Sequence, residues 1–145
     1  MALHVSTVVV PIDFSIAAAG AIETALEIVD SPSQLHLIHV MLPLETMSPG
    51  VLLGDITDVS RTEKVTTALK KLAYDQGADG AHLAVTVGTP GLEIADYAKR
   101  HEADLILIPS CFVFVCFWSI QAHSWSKMHS KNMTMNVHIC ISGRS

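Results

Sequence analysis

Apolar residues in this chain fall into short β-branched runs separated by longer stretches of helical period. The first run, Thr7-Val8-Val9-Val10, suits a strand buried on both faces of a parallel sheet. Pro11 has no N–H for a ladder bond and marks the carboxyl end of that strand. Asp13 falls in the turn that follows, and Ser15 is placed as an N-cap. Ala18, Ile22, Ala25, Leu26 and Val29 then recur at helical spacing, predicting a helix with one apolar face. Ser31-Pro32-Ser33 breaks the helix, and residues 35–40 read as a second strand. Residues 43–58, with Pro49-Gly50 and Gly54, form a loop of the length usually tied to function or mobility.

A second helix is expected over residues 60–75, with Val65, Leu69, Leu72 and Ala73 inward and Arg61, Lys64, Lys70 and Lys71 outward. Gly77 and Gly80 mark its exit. Residues 84–87 predict a third strand. Thr89 and Pro90 then stand in the order of an N-cap and a first helical position. Ile94, Tyr97 and Ala98 give that third helix an apolar face, and Lys99, Arg100 and His101 sit at its end, where the helix dipole favours cations. Leu105-Ile106-Leu107-Ile108 is a fourth, wholly apolar strand ending in Pro109-Ser110.

Buried strands alternating with helices predict an α/β fold with right-handed crossovers and helices on both faces. The expected architecture is an open, parallel, five-stranded, Rossmann-like sheet of order 3-2-1-4-5. Met135-Asn136-Val137-His138-Ile139-Cys140-Ile141 alternates cleanly and supplies the fifth strand. Ligands of such sheets bind outside the carboxyl ends of the strands, where the strand order reverses. That rule puts Asp13 on one side of a candidate site and Ser110, with the residues after it, on the other.

At 145 residues the chain fits one domain, residues 1–145, with an atypical segment over 111–145. Half of the residues are apolar, 16% are charged, and the formal charge is -5. No basic stripe is present for a nucleic acid. The start lacks the basic and apolar regions of an export signal, so a cytoplasmic location is expected. Cys111, Cys116 and Cys140 all lie near the C-terminal end, an odd count that does not suggest a disulfide framework.

The tail also differs in character. From Cys111 onward it has no acidic residue, and it opens with an aromatic and β-branched run before turning to Ser, His, Lys, Met and Asn. Residues 111–120 read either as an additional buried strand or as a poorly specified helix. A membrane span over 105–122 is disfavoured by Pro109 and by its length, at the short limit of the ~20 apolar residues needed. The break in composition also admits an origin in an altered reading frame, an unusual splice or a fusion.

Four segments together resemble the universal stress protein family: Val8-Val9-Val10-Pro11-Ile12-Asp13-Phe14-Ser15; residues 35–40 ending in His-Val; Val87-Gly88-Thr89-Pro90 leading into Ile94-Ala95-Asp96-Tyr97-Ala98; and Asp104-Leu105-Ile106-Leu107-Ile108-Pro109-Ser110. The resemblance covers residues 5–110. It implies an adenine nucleotide alpha hydrolase-like fold, frequent homodimers paired through the C-terminal strand, and ATP as a candidate ligand. On that carry-over, Pro11 and Asp13 would contact the nucleoside, the backbone near Val40 would meet the adenine, and the chain after Ser110 would meet ribose and phosphates. Nucleotide-binding members carry a Gly-x2-Gly-x9-Gly-Ser/Thr loop there. This chain has no glycine between Gly91 and Gly143. Phe and Val side chains in that place would block the approach of backbone amides to phosphate and bring no charge.

Other constellations have plainer readings. Cys111, Cys116, His123 and His129 mimic a zinc site, but their connector is shorter than the ~12 residues of a finger. His36 and His39 alternate to opposite faces of one strand, so they cannot act as a joint ligand pair; one is expected to be a hydrogen-bonded interior histidine. Ser15 lies outside any Gly-x-Ser-x-Gly elbow. The expectation is therefore a stress-associated regulatory or binding protein with weak or absent ATP binding, no catalytic set, no cofactor beyond a candidate ATP, and a homodimer as its assembly. Two alternatives stand: an ATP-binding switch using Asp13 and the atypical loop after Ser110, and an aberrant-tail form without independent function.

Overall fold

The computed structural model describes the backbone of residues 5–44, 57–109, 125–128 and 137–142, with side chains over the first two stretches. Strands β1 (Val8–Pro11), β2 (Leu35–Met41), β3 (His82–Val87) and β4 (Leu105–Pro109) alternate with helices α1 (Ile16–Ile28), α2 (Asp58–Asp75) and α3 (Pro90–Arg100). Two further strands follow, β5 (Trp125–Met128) and β6 (Val137–Ser142). The first four strands are mutually parallel, in the order β3-β2-β1-β4.

Among the described residues the expected fifth parallel strand does not lie beside β4. Its place beside β4 is taken by β6, which runs antiparallel, with Pro109 opposite Val137 and Leu105 opposite Ile141. β5 pairs antiparallel with the other side of β6, so the sheet has six strands ending β4-β6-β5. β6 follows β5 in the chain and runs antiparallel to both β5 and β4, whereas a parallel neighbour of β4 would require a crossover that returns the chain to the starting end. Alternation of apolar residues identifies the strand but carries no direction, which is why the pattern at 135–141 misled.

Side-chain alternation sends each parallel strand into two cores. Val8, Val10, Leu35, Leu37, Leu105 and Leu107 pack with Ile22 and Ala25 of α1 and Leu69 of α2. Val9, Ile38, Val40, Ile106 and Ile108 pack with Ile94, Tyr97 and Ala98 of α3. The helices thus cover both faces, as expected. Fully burying one such aliphatic side chain is worth roughly 1.5–3 kcal/mol, so the two layers dominate the fold. Asp104 ties β1 to β4 before they pair, its Oδ2 accepting from the Ser6 and Thr7 N–H groups at 2.9 and 3.2 Å.

α2 begins two residues earlier than its apolar repeat indicates. Thr57 caps it and exchanges hydrogen bonds with Ser60. It ends at Asp75, as expected, with Gln76 as its C-cap; Gly77 follows with a left-handed φ of 75°, and the Ala78 N–H closes on the Ala73 carbonyl at 2.8 Å. Thr89 and Pro90 take the cap and first-turn positions of α3, although the Thr89 hydroxyl makes no cap hydrogen bond.

Candidate functional site

The candidate site lies at the carboxyl ends of β1 and β2. β1 has β2 on one side and β4 on the other, so successive crossovers leave it in opposite directions, and a crevice forms at such a reversal. Pro11 closes β1 and is buried, and the Ile12 N–H still reaches the Ile38 carbonyl at 2.8 Å, carrying the chain straight into the turn.

In that turn Asp13 Oδ1 accepts from the Ser15 N–H at 2.9 Å, the arrangement of an Asx turn. Ser15 occupies the N-cap of α1 in extended backbone, but its hydroxyl makes no cap hydrogen bond. The cap-like acceptor at this helix start is therefore Asp13, two residues upstream of the expected position for a cap.

Phe14 has a φ of 58°, a left-handed conformation that bulky residues rarely adopt. Its ring lies 4.9 Å from that of His39. His39 in turn sits 2.6 Å from the Ile12 carbonyl through Nδ1. A carbonyl can only accept, so Nδ1 is the donor in this contact. The turn is thus fixed from two sides, by the carboxylate of Asp13 and by the imidazole of His39. The sequence marks Asp13 but gives no sign of the His39 brace, because that contact joins β2 to a carbonyl of the β1–α1 turn.

Val40 is buried near the end of β2 on the α3 face, whereas His39 points to the opposite face. A cavity of about 440 Å³ opens beside the end of β2, lined by His39, Val40, Met41, Leu42, Arg61, Lys64 and Val65. Pro11 and Val40 lie near the carboxyl ends of the adjacent strands β1 and β2, and Asp13 lies in the turn after β1, but of the three only Val40 lines the cavity. Ser110 lies outside the described residues, as do Cys111, Cys116, His123 and His129. Among the described residues no group of three or more His, Cys, Asp or Glu side chains could hold a metal ion. No helix among them is long and apolar enough to cross a membrane.

His36 and His39 do face opposite ways, and both are hydrogen-bonded. His36 is the buried one, with Nδ1 2.8 Å from the Tyr97 hydroxyl. Its ring stacks on His82 at 4.4 Å and meets His101 at 5.0 Å. Burial holds the His36 imidazole down to about 4, helped by the neighbouring His82 and His101. Burial also raises the Tyr97 phenol. The sequence pointed to an interior histidine; it could not show that residues on β2, β3 and the end of α3 meet.

The universal stress protein family model matches residues 4–110, and the chain belongs to that family. Among solved structures, the hypothetical protein MJ0577 is similar at 21% identity, with a TM-score of 0.57 over 73% of this chain and 76% of that one. The universal stress protein UspA from Lactobacillus plantarum is 23% identical, with a TM-score of 0.52 over 74% of this chain and 79% of its own. A universal stress family protein from Burkholderia pseudomallei is 19% identical, with a TM-score of 0.50 over 81% and 89% of the two chains. At these identities the likeness is one of fold. No curated protein sequence matches the chain.

Proposed function

We propose that this chain is a stress-associated binding or regulatory protein of the universal stress type, with weak or absent ATP binding and no turnover of its own. The observation that carries this reading is the engagement of Asp13. Its Oδ1 accepts the Ser15 N–H and so helps to hold the β1–α1 turn. The sequence supports the same conclusion from the other side of the crevice. Without a glycine from 92 to 142, a phosphate cradle of the Gly-x2-Gly kind has no residues to build it. A nucleoside could rest against Pro11 and Val40, but its phosphates would gain little.

The test is a titration of labelled ATP with and without magnesium, on the parent chain and on Asp13→Ala. The expected result is binding no tighter than the millimolar range, which corresponds to about 4 kcal/mol. Micromolar binding abolished by Asp13→Ala would instead support the ATP-switch reading. The assembly in this proposal is a homodimer. Residues 139–141 of β6 are paired on both sides within the chain, so a contact through this end of the sheet would use the outer edge of β5 or a sheet face. Light scattering across a dilution series reads that assembly directly.

A further inference from the structure

We propose that His36, His82, His101 and Tyr97 form an acid-operated latch that releases the last turn of α3 from the sheet when the surroundings acidify. The cluster sits at the amino ends of β2 and β3, the opposite end of the sheet from Asp13 and Val40, so the inference is independent of the nucleotide reading. Three elements meet there. His36 of β2 stands beside His82 of β3 in the parallel register, and their rings stack at 4.4 Å. From α3, the Tyr97 hydroxyl lies 2.8 Å from His36 Nδ1. The C-cap residue His101 is 5.0 Å from the His36 ring and 4.1 Å from that of Tyr97. His36 and Tyr97 are buried, whereas His82 and His101 are exposed.

Imidazole is the side chain whose charge changes between about pH 5 and 8, and here three of them crowd together. The titratable and charged groups around His36 are His82 from β3 and Tyr97, His101 and Arg100 from α3, with Arg100 6.0 Å from the Tyr97 ring. β1 sets the apolar Val9 beside His36 in register. The acids nearest along the chain are Glu102 and Asp104, and Asp104 Oδ2 is engaged by the Ser6 and Thr7 N–H groups. Burial, then His82 and His101, hold the His36 imidazole down from 6.5 to about 4. The closed cluster thus refuses a proton that an open one binds, so opening is favoured progressively as the pH falls between those values. A protonated His36 also donates through both ring nitrogens, which obliges the Tyr97 hydroxyl to accept and to turn its own proton elsewhere. Of the two elements against His36, β3 is held to β2 along its whole length. The end of α3 is the looser one: it turns at Glu102, in left-handed backbone with a φ of 50°. Its opening uncovers only one layer, because Tyr97 and Ala98 pack with Val9, Ile38 and Ile106, whereas the α1 side of the sheet is a separate core.

Amide hydrogen exchange of the intact chain reads the latch, as protection factors at about pH 7.5 and about pH 4.5, either side of the imidazole range. The His101 and Ala103 amides bond to the Tyr97 and Ala98 carbonyls. They are expected to lose protection on the order of twentyfold at the lower pH, and at both to be less protected than Leu37 and Leu107 in the opposite core. His36→Gln is expected to abolish the pH dependence. His101→Gln, at an exposed position, leaves the His36–Tyr97 pair in place and is expected to cut the loss at Ala103 to about fivefold, since one neighbouring charge is removed. Equal protection of Ala103 and Leu107 would overturn the proposal, because only whole-molecule unfolding would then feel the histidines. So would protection at Ala103 that is indifferent to pH, a pH dependence that persists in His36→Gln, or an undiminished loss in His101→Gln.

Discussion

The β1–α1 turn is held by interactions of four consecutive residues, Ile12 to Ser15. Asp13 accepts the Ser15 N–H, Ile12 receives the His39 proton, and Phe14 takes a left-handed φ of 58° between them. A non-glycine residue in that region costs about 1–2 kcal/mol, offset here by bonds on either side and by the ring contact with His39. Asp13→Ala should therefore lower stability to urea by about 1 kcal/mol, as loss of a capping acceptor does, while Asp13→Asn, which keeps an acceptor oxygen, should lose only a fraction of that. Equal losses in the two variants would mean that charge, not the acceptor, stabilises the turn. Gly77 provides a second residue-scale check. Its φ is 75° and an added Cβ meets nothing within 4 Å, so Gly77→Ala should cost about 1 kcal/mol from backbone conformation alone. A neutral substitution, seen in the same unfolding curves, would contradict that assignment.

Between elements, the informative contact is the aromatic cluster that joins β2, β3 and the end of α3. His36 is buried against the Tyr97 hydroxyl, His82 and His101, and Tyr97 also meets His101 at 4.1 Å and lies beneath Arg100 at 6.0 Å. The His36 imidazole is held down from 6.5 to about 4. Between those values the unfolded chain binds a proton that the folded chain refuses. Stability from this group is therefore complete above about pH 6.5, falls as the pH drops towards 4, and levels below that. The full shift would be worth more, but solvent around His82 and His101 reduces the expected loss to on the order of 2 kcal/mol. His36→Gln retains a hydrogen-bonding partner for Tyr97 and removes the titration. The difference in urea stability between parent and variant should shrink or reverse on going from pH 7 to pH 4. A difference independent of pH would show that His36 does not titrate in this window.

Across the whole molecule, the parallel half was legible in the sequence. Val8-Val9-Val10 and Leu105-Ile106-Leu107-Ile108 are apolar at every position because both faces of those strands are covered by helices, and such runs announce themselves. The antiparallel end was not legible, since the side-chain alternation of β6 is the same in either direction. The candidate site was half legible. Asp13 stood out from its place after β1, whereas the His39 brace, the anchoring of Arg61 on the Leu42 carbonyl and the His36 cluster depend on contacts between elements far apart in sequence. The central proposal is weak or absent ATP binding, because the sequence has no glycine from 92 to 142 to build a cradle for phosphates. The most direct measurement is the ratio of ATP to adenosine affinity, determined in magnesium for the parent chain. The account predicts a ratio near one. ATP binding at micromolar concentration, far tighter than adenosine, would contradict it.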